Sequence, residues 1–286
     1  MDSLKFNFTV DQLVEKNLVN KVDIDTISAW SLTEQLPQPT DEMIALFLIS
    51  CDNDKDLAKA TVHSYYKIKN GAPEIFNGRD IERPDLQAVL KLGYFCLVPQ
   101  RTPDGDVVVF VKAKKKVSEE IKWNVRSLLK VICMVLEAAY YDYPPRQFII
   151  IFDVEHITFK QVSKLKPKVL KIFVQYLQEG FPSKLKAIHV VNMVDVLNSL
   201  TLLLKPFVKK SVWKMTKFHS KHYNRERFFE KYVPKDYLPE EIGGTSPSAE
   251  IINDFTIQRL SEIDDYFRDE ELHRQCLQAP HGVDDL

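Results

Sequence analysis

Glycine is short in this chain, with eight residues among 286 where an average composition supplies about twenty. None of the eight falls in a GxGxxG or GxxxxGK pattern, which excludes both common glycine-cradled nucleotide sites. Cysteine is sparse too: Cys51, Cys96, Cys133 and Cys276 form no CxxC pair and no zinc spacing. There is no GxSxG nucleophile elbow, no HExxH, and no run near the roughly 18 apolar residues of a membrane-spanning helix. The opening Met1-Asp2-Ser3-Leu4-Lys5 lacks the basic and apolar regions of a signal peptide, so the expected location is cytoplasmic, with reduced thiols. What the chain does have is 45% hydrophobic and 11% aromatic residues, enough for a large core without disulfide or metal staples.

The net charge of −1 conceals three unlike regions. Residues 1–60 sum to −6, residues 226–286 to −9, and the stretch between them to +14. From Val196 to Arg225 there are seven basic residues and no acid. Such asymmetry suggests an anionic partner. Nucleic acid is disfavoured, because lysine dominates and no RNA-binding aromatic signature accompanies it. An anionic membrane surface or an ordinary solvated lysine face remains.

Hydrophobic spacing predicts helices from Thr40 or Asp41 and again from Asp54, the second stopping at Asn70-Gly71. A short helix is expected over 85–91. Tyr94–Val98 and Val107–Val111 flank Thr102-Pro103-Asp104-Gly105-Asp106 and read as a hairpin. Ser118 is expected to cap a long helix to about Tyr140, broken by Tyr143-Pro144-Pro145. Phe148–Phe152 is an unbroken apolar run, as in a strand covered on both faces. A helix over 161–178 and a strand Ala187–Val191 follow, then helices around 195–215 and an amphipathic helix over 248–272. Alternation of strand, helix and strand implies an α/β fold with a mainly parallel sheet.

Few residues offer chemistry. His219 and His222 are three apart, but nothing completes a metal set. Asp153 and Glu155 end the apolar strand, where a carboxylate pair could act on a substrate; a turn-forming Asp and a structural ion pair are the plainer reading. Leu200, Leu203, Leu204, Phe207 and Val208 form a wide apolar stripe opposed by lysines. That pattern describes equally a helix lying on an anionic bilayer and a surface helix of a basic protein. Pro206 within it either kinks one helix or begins a second.

The run Phe181–Asn192, the Lys205-Pro206-Phe207 step and the segment Tyr232–Gly244 resemble the CRAL-TRIO lipid-binding domain in order and spacing. Phe148–Glu155 resembles the family strand that ends Phe-Asp-Leu-Glu-Gly. Phe47-Leu48 through Tyr65-Tyr66-Lys67 and Pro73-Glu74 resembles the small helical domain that precedes it. The likeness covers about residues 30–245 and is nearest the tocopherol- and retinaldehyde-binding branch. It departs at His156, Val194 and Ser220, where the family has glycine, proline and glycine.

The resemblance implies a helical domain over 1–75, a lipid-binding domain over 76–245 and an acidic tail over 246–286. It further implies a carrier, not an enzyme, that exchanges one tocopherol, retinoid, carotenoid or similar lipid with membranes through a gate helix near 196–215. Non-transferring membrane sensing and catalysis on a hydrophobic substrate are the alternatives. Implied pocket residues are Phe152, Phe173, Tyr176, Leu177, Phe181, Ile188 and Val190, with Leu200, Leu204, Phe207 and Val208 on the gate. Lys184 matches a phosphoinositide-headgroup position, and Lys209, Lys210, Lys214 and Lys217 would add a basic membrane face. Ser211 and Met215 on the gate, and Ile49 and Cys51 upstream, stand where the branch has basic residues. A monomer with no cofactor or metal is expected.

Overall fold

The computed structural model describes residues 4–118, 120–193, 198, 201–202 and 204–276. The first third is helical: α1 Val10–Glu15, α2 Lys21–Ser31, α3 Asp41–Ser50, α4 Lys55–Gly71, α5 Pro73–Phe76 and α6 Pro84–Leu90. Thr9, Asn20, Thr40 and Asp54 each accept backbone N–H groups at the start of the first four helices, as N-caps do. Helix α3 buries every residue from Met43 to Leu48, so it forms the centre of this module.

The sheet has five strands: β1 Gly93–Leu97, β2 Val107–Ala113, β3 Phe148–Asp153, β4 Leu185–Met193 and β5 Thr216–Ser220, paired in chain order. Strands β1 and β2 form the expected antiparallel hairpin, and β2 to β5 run parallel. Parallel neighbours need crossovers. Helix α7, Val125–Asp142, makes the first; α8, Phe159–Val162, and α9, Pro167–Gln175, make the second; α10, Lys210–Met215, leads into β5.

Three expected boundaries move. Helix α7 starts at Val125 because Asn124 accepts from the amides of Arg126 and Ser127, whereas the Ser118 hydroxyl only closes a turn with Glu120. The helix expected over 161–178 is split, since Pro167 has no N–H and holds Lys166 extended; it ends in a π-turn, Tyr176–Gly180. Gly180 is required there, because a Cβ would sit 3.0 Å from the Tyr65 backbone of α4. The C-terminal helix is two, α12 Ala249–Glu262 and α13 Asp264–Gln275. Helix α12 covers the edge strand: the amides of Phe95 and Leu97 donate to Asn253 and Thr256 at 2.8 and 2.9 Å.

One face of the sheet packs on α7 and α9, the other on α11, Arg225–Lys231, and the turns that follow it. On that second face His189 Nδ1 and His219 Nε2 lie 3.1 Å apart across β4 and β5, ringed by Tyr223, Phe228 and Tyr232. Burial, with His219 and Lys217 close by, lowers the His189 pKa to about 4.

The C-terminal helix is tied to the body by buried charge. Lys69 of α4 lies 2.8 Å from Glu137 of α7 and 3.0 Å from Glu270 of α13. Arg79 pairs with both carboxylates, and Arg274 donates to Glu270 at 2.7 Å and to the Phe76 carbonyl at 3.0 Å. Tyr65 donates to Glu270 as well. Burial alone would raise the Glu270 carboxyl, but Arg79, Lys69 and Arg274 hold it well below the ordinary range.

Replacing Glu270 with Ala leaves three buried cations facing one carboxylate and should cost about 3–5 kcal/mol in denaturant unfolding. Because the folded state lowers this pKa, the Glu270 contribution is complete above pH 4.5 and lost as the pH falls through its folded pKa. The histidine pair fails earlier, since its neutral form is the one the fold favours. Stability should decline between pH 6.5 and about 4, by up to about 3 kcal/mol from His189. Urea midpoints against pH should show that slope in the wild type and a flatter one in His189→Phe; equal slopes would remove the pair as its source.

Candidate ligand-binding cavity

Strand register lines up one side chain from each of the five strands. Phe95 pairs with Val111, Val111 with Phe152, Phe152 with Val190, and Val190 with Phe218. Side chains alternate across a sheet, so this row points to one face. Ile188, two residues before Val190, pairs with Thr216 and extends it. Burial alternates with the row: Ile151, His189 and Val191 are at most 1% exposed, while Phe152, Ile188 and Val190 in mid-sheet are only half-buried. They face open space, a cavity of about 340 Å³.

Its roof comes from Leu128, Leu129 and Ile132 of α7, and from Leu170, Phe173 and Val174 of α9. Its side comes from Leu204, Val208, Val212 and Trp213. Polar residues on the wall are few, Gln161, Thr201 and Thr216 among them. Lys112 and Asp153 also border it, but they are register partners whose side chains alternate to the opposite face. There they form an ion pair.

Of the residues expected in the pocket, Phe152, Phe173, Leu177, Ile188, Val190, Leu204 and Val208 line the cavity. Leu200 lies outside the described residues. Tyr176 and Phe181 are elsewhere: they stack with each other and with Phe76, Tyr140 and Phe148 in the closed aromatic core behind α4 and α7. Tyr176 opens the π-turn and Phe181 follows it in extended conformation. Phe207, in the 3₁₀ turn Lys205–Phe207, is 38% exposed under Lys171. Pro206 therefore sits in a turn between helical segments, not inside one helix. Sequence reasoning missed Val111, Phe95 and Phe218, which follow from Phe152 once register is known. It missed Trp123 too, a loop residue with no periodic signal.

The expected basic residues separate. Lys184 pairs with Asp52 of the helical module, so its charge is already matched. Lys209 reaches Glu179 at 3.2 Å, and Lys217 donates to the Lys214 carbonyl at 2.6 Å. Lys210 and Lys214 have no carboxylate in ion-pair range among the described residues. Leu202 is 69% exposed.

The carboxylates are structural. Asp153, 2% exposed, pairs with Lys112 and accepts from the Asn192 amide at 2.9 Å and the Glu155 N–H at 3.1 Å. Glu155 faces Lys112, His156 and Lys221. His219 meets His189, not His222. No group of three metal-ligating side chains occurs, and no helix is long and apolar enough to cross a membrane, among the described residues.

Known proteins agree with this geometry. Residues 91–244 match the CRAL/TRIO domain, and residues 16–86 match a Pinta-like UBA domain. The alpha-tocopherol transfer protein-like protein of Homo sapiens is 25% identical over 208 residues, 72% of this chain and 59% of its own length. Clavesin-1 of Mus musculus is 27% identical over 186 residues, 64% of this chain and 51% of its own. The chain thus matches little more than half the length of these curated relatives. The crystal structure of Sfh5 superposes with a TM-score of 0.51 at 13% identity, covering 86% of this chain and 93% of that one, which is a likeness of fold. With the domain match spanning more than half of its residues, the chain belongs to the CRAL/TRIO family.

Proposed function

We propose that the protein is a carrier that holds one hydrophobic lipid in the cavity over the sheet and exchanges it with anionic membranes. The observation that carries this reading is the in-register apolar floor left half-buried beneath a 340 Å³ cavity. Pockets for small molecules begin at about 300 Å³, and an apolar space of this kind gains from an apolar occupant.

The energetics suit exchange, not trapping. A dozen methylenes gain about 10 kcal/mol on leaving water, at ~0.8 kcal/mol each. A bilayer offers nearly the same, so transfer between the two is close to neutral. Selection then rests on shape and on the few polar groups at the wall. Lys210, Lys214 and Lys217 contribute about 1 kcal/mol each near an anionic surface, Lys209 less because it already meets Glu179, and exposed Leu202 and Phe207 of the same stretch offer apolar contact. The same segment carries Leu204 and Val208 into the cavity wall. Membrane contact and access to the pocket are therefore coupled through one stretch of chain.

Native mass spectrometry with organic extraction tests the reading directly: a stoichiometric hydrophobic molecule supports it. A protein that is empty and takes up no retinoid, tocopherol or phospholipid from liposomes refutes it and leaves membrane sensing. Val190→Trp, which fills the floor from a half-buried position, should lower lipid uptake at least tenfold with little change in thermal midpoint. Reversing charge at Lys209, Lys210 and Lys214 should reduce sedimentation with anionic vesicles while ligand affinity in solution stays unchanged.

A further inference from the structure

The segment that carries Leu204 and Val208 into the cavity wall runs from the 3₁₀ turn Lys205–Phe207 into α10. The Val208 N–H closes the turn on the Lys205 carbonyl at 3.3 Å, and the Lys209 carbonyl accepts from the Trp213 N–H at 2.9 Å to begin the helix. Between these bonds lies a junction, with Val208 extended at φ −96°, ψ 121°. Backbone groups at such a junction need partners from elsewhere. One side chain supplies two of them. Gln178 Nε2 donates to the Phe207 carbonyl at 3.2 Å, and Gln178 Oε1 accepts from the Lys209 N–H at 2.5 Å. A carboxamide carries donor and acceptor side by side, so it grips the chain on both sides of Val208.

Two more contacts reach the same junction. Lys209 meets Glu179, next to Gln178, at 3.2 Å. Lys171 of α9 lies 5.1 Å from the centre of the Phe207 ring. Gln178 and Glu179 belong to the π-turn Tyr176–Gly180, a type of turn frequent at functional sites. That turn is fixed from behind. Tyr176 stacks in the aromatic core, and Gly180 lies against the Tyr65 backbone of α4. Leu177 of the same turn lines the cavity, as Val208 does. Gln178 thus ties a wall segment attached by polar bonds to one anchored in the core.

We propose that Gln178 is the latch of the gate: its carboxamide holds the Phe207–Lys209 junction over the cavity until a membrane draws the segment away. This rests on the carrier reading and gives it a positioning residue. The bonds suit the task. Gln178 is half-buried and Phe207 and Lys209 are exposed, so water or lipid can replace each contact. An anionic surface competes with Glu179 for Lys209, and Gln178 then holds the junction by its two hydrogen bonds. These bonds do not involve the cargo. They set how fast cargo passes, not how tightly it is held.

Two measurements on the full chain carrying Gln178→Met, which keeps side-chain length and loses both bonds, decide it. Amide hydrogen exchange needs no cargo. The peptide covering 205–215 should exchange at least tenfold faster than in the wild type. Peptides from β3 and β4, and the thermal midpoint, should stay unchanged. Retinol loaded into the chain, read by energy transfer from tryptophan, should pass to phosphatidylcholine vesicles at least fivefold faster. Loading should accelerate by the same factor, leaving the equilibrium partition as it was. A shift in partition or midpoint with unchanged rates marks a structural residue and overturns the latch. Unchanged exchange over 205–215 overturns it too and leaves the carrier intact. Faster exchange with unchanged transfer separates the junction from the gate, which also overturns it. A wild type that takes up no retinol and yields no lipid on extraction overturns the carrier reading, and the latch with it.

Discussion

Five charged side chains meet out of water where three parts of the chain converge. Lys69, Arg79 and Arg274 face Glu137 and Glu270, and all five side chains are fully buried. Desolvating each ion costs several kcal/mol, returned only when every partner is in place. The cluster therefore does less to stabilise the fold than to admit a single arrangement of it. Helix α4, the Arg79 loop, α7 and α13 must arrive together. Helix α7 also roofs the cavity: Ile132 touches the cavity wall little more than one turn before Glu137 enters the cluster. What fixes the helical module to the sheet thus fixes the roof over its floor.

That floor is built by a sheet with two unlike faces. Cys96, Phe110, Ile151 and Val191 on one face are buried in a closed core with Phe228, Val233 and Leu238. The other face is closed only at its start, where Val107, Val109, Phe148 and Ile150 pack in the main core. Toward the strand ends, a space stays open between the sheet and α9, with Leu204, Val208 and Val212 at its side. Its edge is protected in turn: side chains of α12 occupy the β1 amides that would otherwise pair with another strand. Together these features make a tray closed beneath, protected at its edge and hollow above.

Much of this was legible in the sequence. The apolar run Phe148–Phe152 and the strand-helix alternation implied a parallel sheet covered on both faces, and Thr40 and Asp54 announced their helices. The resemblance carried by Phe181–Asn192 and Tyr232–Gly244 was borne out by the family match. What could not be read was whatever depends on partners distant in sequence. Lys184 looked like a free basic group until Asp52 met it from 132 residues away. Tyr176 and Phe181 were expected in the pocket because the resemblance places them there; here they turn into the aromatic core through the π-turn Tyr176–Gly180 and the residue after it. Glu270 lay in an acidic tail and gave no hint that three buried cations would meet it. Helix breaks at Pro167 were available in principle, and the apolar pattern running across the proline outweighed them.

The alternation of the row Phe95, Val111, Phe152, Val190 and Phe218 with its neighbours has a consequence for how such a pocket can change. Cavity-facing and core-facing side chains share strands but share no packing surface. The cavity side has room to spare, so a floor residue can grow or shrink by a methyl group without pressing on the closed face. Pocket shape and the closed core of the opposite face are thus carried by separate sets of side chains on the same strands. A sheet of this kind can be refitted to a new guest one side chain at a time, each step remaining a folded protein.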